Sequence, residues 1–236
     1  MQLASICSLS ISLPKIRNSH QTMVKTISYQ HTNSYEVLNP VTETTENIWI
    51  CFHGLGYLAR FFKRYFTGLD PLKNAVIVLQ APSKYYLGKN FKHVGSSWLT
   101  RVDTDQEMQN NLNYVDAVLK EEGLHRDKRM VIMGYSQGVS IATRFLLHYN
   151  SPVKALVMHS GSIPNEFNEL DSVKFKSLST RNIHISGTKD EYVTADLIQR
   201  ENKKIQMLFG TECELHRPDI KHEVDTQLLV DISNTL

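Results

Sequence analysis

Five short apolar runs constrain this chain more than any other feature: residues 47–52 (NIWICF), 75–80 (AVIVLQ), 130–135 (MVIMGY), 155–159 (ALVMH) and 182–186 (NIHIS). Each is too short for a typical helix, and the first four lack the apolar–polar alternation of a strand with one wet face. Strands buried on both faces of a parallel sheet have this character. Parallel neighbours need long crossovers, and helix-length segments lie between the runs. Helices are expected at 58–67, 105–122, 137–149, 195–209 and 223–235. In the second, Met108, Leu112, Val115 and Leu119 recur at spacings of four, three and four, which makes one apolar stripe. Residues 26–30 and 34–38, separated by His31-Thr32-Asn33, read as an opening hairpin. The expected class is α/β, a mostly parallel central sheet with helices on both faces and an antiparallel N-terminal hairpin.

Composition narrows the function classes. With 236 residues, 41% hydrophobic and 21% charged, the chain is ordinary globular material. Its 26 basic residues against 24 acidic ones give a charge of +2, too small for a nucleic-acid binder. No stretch reaches the ~18 apolar residues of a membrane span. Cys7, Cys51 and Cys213 are odd in number and widely spaced, which fits neither a disulfide framework nor a zinc site. No metal and no other cofactor is expected, and a reduced, cytoplasmic setting is. Oligomeric state is left open. Residues 1–22 stand apart: no acidic residue precedes Glu36, serines interrupt the early apolar stretch, and Lys15 and Arg17 follow it rather than lead it. That pattern suits neither a secretory signal nor an Arg-rich transit peptide. A disordered leader, or a stretch upstream of a start at Met23, is expected there, with residues 23–236 as one domain.

The segment that points to chemistry is Gly134-Tyr135-Ser136-Gln137-Gly138. A G-x-S-x-G match alone is weak, but this one follows a buried strand and opens a helix. Such a turn forces its serine into a strained backbone and lifts the hydroxyl above the sheet. The helix then presents backbone N–H groups and its positive dipole end to developing negative charge. The plainer alternative is a Gly-bounded loop with a helix-capping serine.

Together with three further segments in order, this turn resembles the α/β-hydrolase superfamily, nearest its phospholipase/carboxylesterase branch, which includes acyl-protein thioesterases. Cys51-Phe52-His53-Gly54-Leu55-Gly56 resembles the branch's H-G-L-G loop. Gln80-Ala81-Pro82 and Ser97-Trp98 resemble its Q-A-P and S-W pair, and Gly187-Thr188-Lys189-Asp190-Glu191-Tyr192-Val193 its G-x-x-D-x-x-V loop. The resemblance spans residues 47–222. Val139 replaces a second glycine after the elbow, and Tyr57 stands where relatives carry an acid. Both departures fall beside the expected acyl site. The resemblance implies oxyanion donors at the backbone N–H groups of Leu55 and Gln137, and a substrate contact at Trp98.

A serine nucleophile needs a histidine base, and the histidine a carboxylate, in the chain order Ser, Asp or Glu, His. Asp190 follows the last apolar run and is in phase with the motif, whereas its neighbour Glu191 is one residue out. Only His216 and His222 come after it. His216 lies inside an expected last strand at 212–217, and His222 lies in the loop beyond, where the base has to be. His222 is therefore favoured, although the family's glycine three residues before it is Asp219 here. Leu58, Phe62 and Phe66 form a core-like stripe, and Tyr57 and Phe61 belong to a neighbouring one that could line an acyl groove. Residues 162–177 suggest a small cap. The expected activity is hydrolysis of small to medium carboxylic esters, with thioesters as a further substrate class, through an acyl-Ser136 intermediate. A peptidase or lipase on the same fold, or an inactive binding module, are the alternatives.

Overall fold

The computed structural model describes residues 23–236, so the leader expected at 1–22 lies outside the described residues. One compact unit runs from Asn33 to Leu236, and residues 23–32 contain no helix or strand. The strands of the central sheet are β1 (Tyr35–Leu38), β2 (Asn47–Phe52), β3 (Asn74–Leu79), β6 (Met130–Tyr135), β7 (Val153–His159), β8 (Ser179–Ile185) and β9 (Cys213–His216). The remaining two, β4 (Ser83–Leu87) and β5 (His93–Ser97), form a separate antiparallel hairpin. The sheet order is β1-β3-β2-β6-β7-β8-β9, parallel throughout except for β1 against β3.

The antiparallel entry is thus present, with a different partner from the one expected. Residues 26–30 form no strand, and β1 pairs with β3 (Val37 opposite Ile77). Ile27 and Tyr29 are 90% and 80% exposed, so that segment buries no apolar face. An isolated two-stranded hairpin is marginal in water, whereas the edge of an existing sheet is not.

The first four apolar runs lack alternation because both faces of the sheet are covered. In β2, Ile48, Ile50 and Phe52 join one core with Leu112, Val115 and Leu119 of α2 (Thr104–Glu121) and Val139, Ile141 and Phe145 of α3 (Gln137–Tyr149). Trp49 and Cys51 join the other, with Phe62 of α1 (Ala59–Phe62), Phe66, and Leu229 and Ile232 of α6 (Thr226–Thr235). The helix expected at 58–67 is one α turn followed by a 3-10 turn at Lys63–Phe66. It has no side-chain cap and no acid in its first turn, and its bulky aromatics are poor helix formers. The C-terminal helix starts three residues later than expected because the Asp225 carboxylate caps it, accepting from Leu228 N–H at 3.0 Å. The segment expected as a small cap, 162–177, contains most of α4 (Glu169–Leu178), opened by an Asn168–Asp171 capping box and packed through Phe175 onto Phe209 of α5 (Ala195–Phe209).

Phe145 is fully buried between Phe52 and Tyr149, with ring centroids 5.9 and 5.6 Å away. Phe145→Ala is expected to remove ~3–5 kcal/mol of stability. Leu170→Ala, at a position 81% exposed, should change it by less than ~0.5 kcal/mol. Urea denaturation with an unchanged m-value checks both.

Candidate active site

Parallel register brings the ends of β2, β6, β8 and β9 to the same edge of the sheet, and the residues singled out above lie in the loops that leave it. Ser136 joins β6 directly to α3 with φ +53° and ψ −119°. An L residue resists that conformation by ~1–3 kcal/mol. Glycine makes the surrounding packing possible. A Cβ on Gly138 would fall onto the Phe52 carbonyl, and one on Gly134 onto the backbone of Gly138 and Val139. Ser136 N–H donates to the His159 carbonyl at 2.9 Å, and Val139 N–H donates to the Ser136 carbonyl at 3.1 Å.

The Ser136 hydroxyl lies 3.0 Å from His222 Nε2, and His222 Nδ1 lies 2.7 Å from Asp190 Oδ2. With the hydroxyl donating to Nε2, the ring proton sits on Nδ1 and points at the carboxylate. The Asp190 side chain is fully buried, and its other oxygen accepts from Tyr192 N–H at 3.0 Å. Tyr135 O–H donates to the His222 carbonyl at 2.9 Å, and the rings of Tyr135 and Tyr192 flank the imidazole at 5.4 and 4.8 Å. Glu191 reaches only the His222 backbone N–H, at 3.4 Å. His216 is the last residue of β9, one position beyond where the sequence places it relative to the strand end, and its Nε2 faces Glu214 at 3.9 Å.

The two expected oxyanion donors sit at the same place. Gln137 is the first residue of α3, so its N–H has no helical carbonyl to bond. Its side chain is tied down by accepting from Trp98 N–H and donating to the Leu99 carbonyl, both at 2.9 Å. Leu55 lies on the wall of a cavity of about 800 Å³ that also takes in Ser136, Gln137 and His222. The loop before it is held by a neutral His53, which donates from Nδ1 to the Gly54 carbonyl at 2.8 Å and accepts at Nε2 from Ala81 N–H at 3.2 Å.

The expected substrate contacts are placed elsewhere. Trp98 is completely buried behind the loop, donating from Nε1 to the His53 carbonyl at 2.8 Å and packing on Phe52 and His53. It braces the loop and does not line the cavity. Tyr57 bonds Tyr65 through the hydroxyls and packs edge-on against Tyr135, within the second core. Phe61 is 53% exposed beneath the Arg60 guanidinium. Neither is on the cavity wall. That wall comes in part from Ile163, Pro164, Asn165 and Glu166, within the segment expected as a cap, and in part from residues no motif flagged: Leu197 and Arg200 of α5, and His184 and Arg217 near the ends of β8 and β9. They are far apart in sequence and share no local pattern. Among the described residues no cluster of His, Cys, Asp or Glu could hold a metal, and no helix is long and apolar enough to cross a membrane.

A parallel sheet with this strand-to-helix serine turn is the α/β-hydrolase fold. The model of the phospholipase/carboxylesterase family matches residues 32–236, and the chain belongs to that family of esterase- and thioesterase-type hydrolases. Among solved structures it is similar to esterase PE8 (TM-score 0.64, 19% identity, covering 87% of this chain and 98% of that one). It is similar also to acyl-protein thioesterase 2 of Zea mays (0.65, 16%, 86% and 97%) and a carboxylesterase of Bacillus cereus (0.63, 15%, 86% and 92%). At these identities the likeness is one of fold. No curated protein matches the sequence.

Burial pushes His53 and His184 down to about 4 and His159 to about 3, against an ordinary 6.5. These rings stay neutral in the fold, whereas the unfolded chain takes up their protons below ~6.5. The unfolded state then binds more protons, so stability is full above that pH and is lost as pH falls toward 4. The slope should approach ~3–4 kcal/mol per pH unit near pH 5, at ~1.4 per histidine. Calorimetric melting between pH 7 and 5 checks this, and a flat profile would contradict it.

Proposed function

We propose that this protein is a serine esterase that hydrolyses carboxylic esters or thioesters of small to medium acyl groups. The observation that carries the reading is the unbroken chain from Ser136 Oγ to His222 Nε2 at 3.0 Å and from His222 Nδ1 to Asp190 at 2.7 Å, on a strained elbow opening into a cavity. Ser136 Oγ attacks the carbonyl carbon while its proton passes to His222 Nε2. The imidazolium so formed is stabilised by Asp190, which also keeps the ring in the required tautomer. The oxygen of the tetrahedral intermediate takes hydrogen bonds from Leu55 and Gln137 N–H. Collapse breaks the bond to the alcohol or thiol, which leaves with the proton from His222. Water then attacks the acyl-serine, giving its proton to the same nitrogen, and the carboxylic acid departs as Ser136 is reprotonated. A reducing, cytoplasmic setting goes with this reading, supported by the unpaired, buried Cys51 and Cys213.

Ser136→Ala should lower kcat by ~10⁶, and Asp190→Asn by ~10⁴ through the lost tautomer. His222→Ala should abolish both ester turnover and labelling of Ser136 by a fluorophosphonate probe, while His216→Ala keeps most of both. The reverse histidine pattern, on variants shown to be folded by circular dichroism, would reassign the base. A wild-type protein that neither labels nor turns over a nitrophenyl ester would refute the serine esterase reading.

A further inference from the structure

The charges on the cavity wall do not balance. Glu166 is paired with Arg144 (Nε to Oε1, 2.6 Å), Glu201 with Lys204 (3.1 Å), and Asp190 is engaged by His222. Two guanidinium groups on the same wall, Arg200 and Arg217, have no carboxylate within ion-pair distance among the described residues. Arg217 donates only to neutral acceptors, His184 Nδ1 at 3.1 Å and Asn202 Oδ1 at 3.3 Å. A guanidinium carries five N–H donors, so most of its fork is unspent.

His184 adds an independent observation. It is 4% exposed and lines the same cavity. Because Arg217 can only donate, His184 Nδ1 must accept, and the proton of the neutral ring is on Nε2. That Nε2 is buried and has no hydrogen-bond partner. Buried donors in folded proteins are nearly always satisfied, and this one, on the ring that accepts from Arg217, has no protein acceptor. Val193, Leu197 and Ile198 supply apolar wall in the same cavity, suited to a methylene chain.

We propose that the cavity binds the anionic end of its substrate, and that the preferred ester carries a carboxylate held by Arg217 and Arg200. This rests on Ser136 being the nucleophile. Planar carboxylates match the guanidinium fork, and a wall with excess positive charge concentrates anionic substrates near the serine.

The test compares nitrophenyl monoadipate and monosuberate with nitrophenyl hexanoate and octanoate, which have equal chain lengths and differ in the terminal carboxylate. A second arm compares hexanoate esters of 4-hydroxybenzoate and 4-hydroxybenzamide, placing the charge on the leaving group instead. The charged-to-neutral ratio of kcat/KM is expected to exceed ~10 in one arm and to fall at least ~10-fold in Arg217→Gln combined with Arg200→Gln, as lost charge-assisted bonds require. Lys203→Gln, an exposed change of the same charge on α5 away from the cavity wall, should leave the ratio in place. A ratio at or below one in both arms, or one that survives the double substitution, overturns the proposal. If no ester is turned over, the esterase reading fails on its own, and calorimetric titration of Ser136→Ala protein with adipate decides this one. Saturable binding that the double substitution removes supports it, and absence of binding overturns it.

Discussion

Ser136 is held at φ +53° by elements that are each fixed on their own account, and the geometry of the site is measured from that residue. β6 lies between β2 and β7 in parallel register, so the Ser136 N–H finds the His159 carbonyl at the end of β7 without adjustment. On the other side, α3 packs so close to β2 that Gly138 sits directly on the Phe52 carbonyl. Neither contact would tolerate a relaxed serine. A strained residue persists only where its surroundings over-determine it, and here two strands and a helix do so. Because the same register ends β8 and β9 at this edge, the loops bearing Asp190 and His222 arrive beside the serine as a consequence of sheet order.

The buried histidines show how one side chain serves opposite ends. His53 has a main-chain partner at each ring nitrogen, and His159 accepts from Asp225 N–H while its other nitrogen faces Ser160. Burial keeps both neutral, so they act as rigid two-ended connectors: His53 shapes the loop of Leu55, and His159 anchors the start of α6 beside His222. His222 differs in one respect. Its Nε2 faces a hydroxyl whose proton can move, and its Nδ1 faces a carboxylate that can accommodate the resulting charge.

What could be read from the sequence was local. Most of the buried strands declare themselves as uninterrupted apolar runs, because a strand covered on both faces has little room for polar positions. The elbow is legible because its conformation demands glycine at fixed offsets within five residues. The preference for His222 over His216 as the base rests only on the strand-then-loop order of a short segment. The expected substrate contacts went beyond what local signals hold. Tyr57 and Phe61 suggest a groove wall through their aromatic stripe, and Trp98 suggests a substrate contact through the resemblance, and neither signal says what a ring packs against. In the fold Trp98 spends its N–H on the His53 carbonyl, and Tyr57 spends its hydroxyl on Tyr65. Strand 35–38 met the same limit, since its partner lies beyond the reach of any turn signal.

Local signals along the chain were enough to read the layered α/β architecture, the strained serine and the acid and histidine beside it. Periodicity and backbone constraint act over a few residues, and these features depend on nothing longer. What surrounds that serine emerges from long-range packing. Ile163 to Glu166, His184, Arg200 and Arg217 come from four separate segments and meet because β7, β8 and β9 run side by side with α5 packed nearby. A charge left without a partner is a property of that meeting: it exists only when every neighbour is known, and no single stretch of chain contains it.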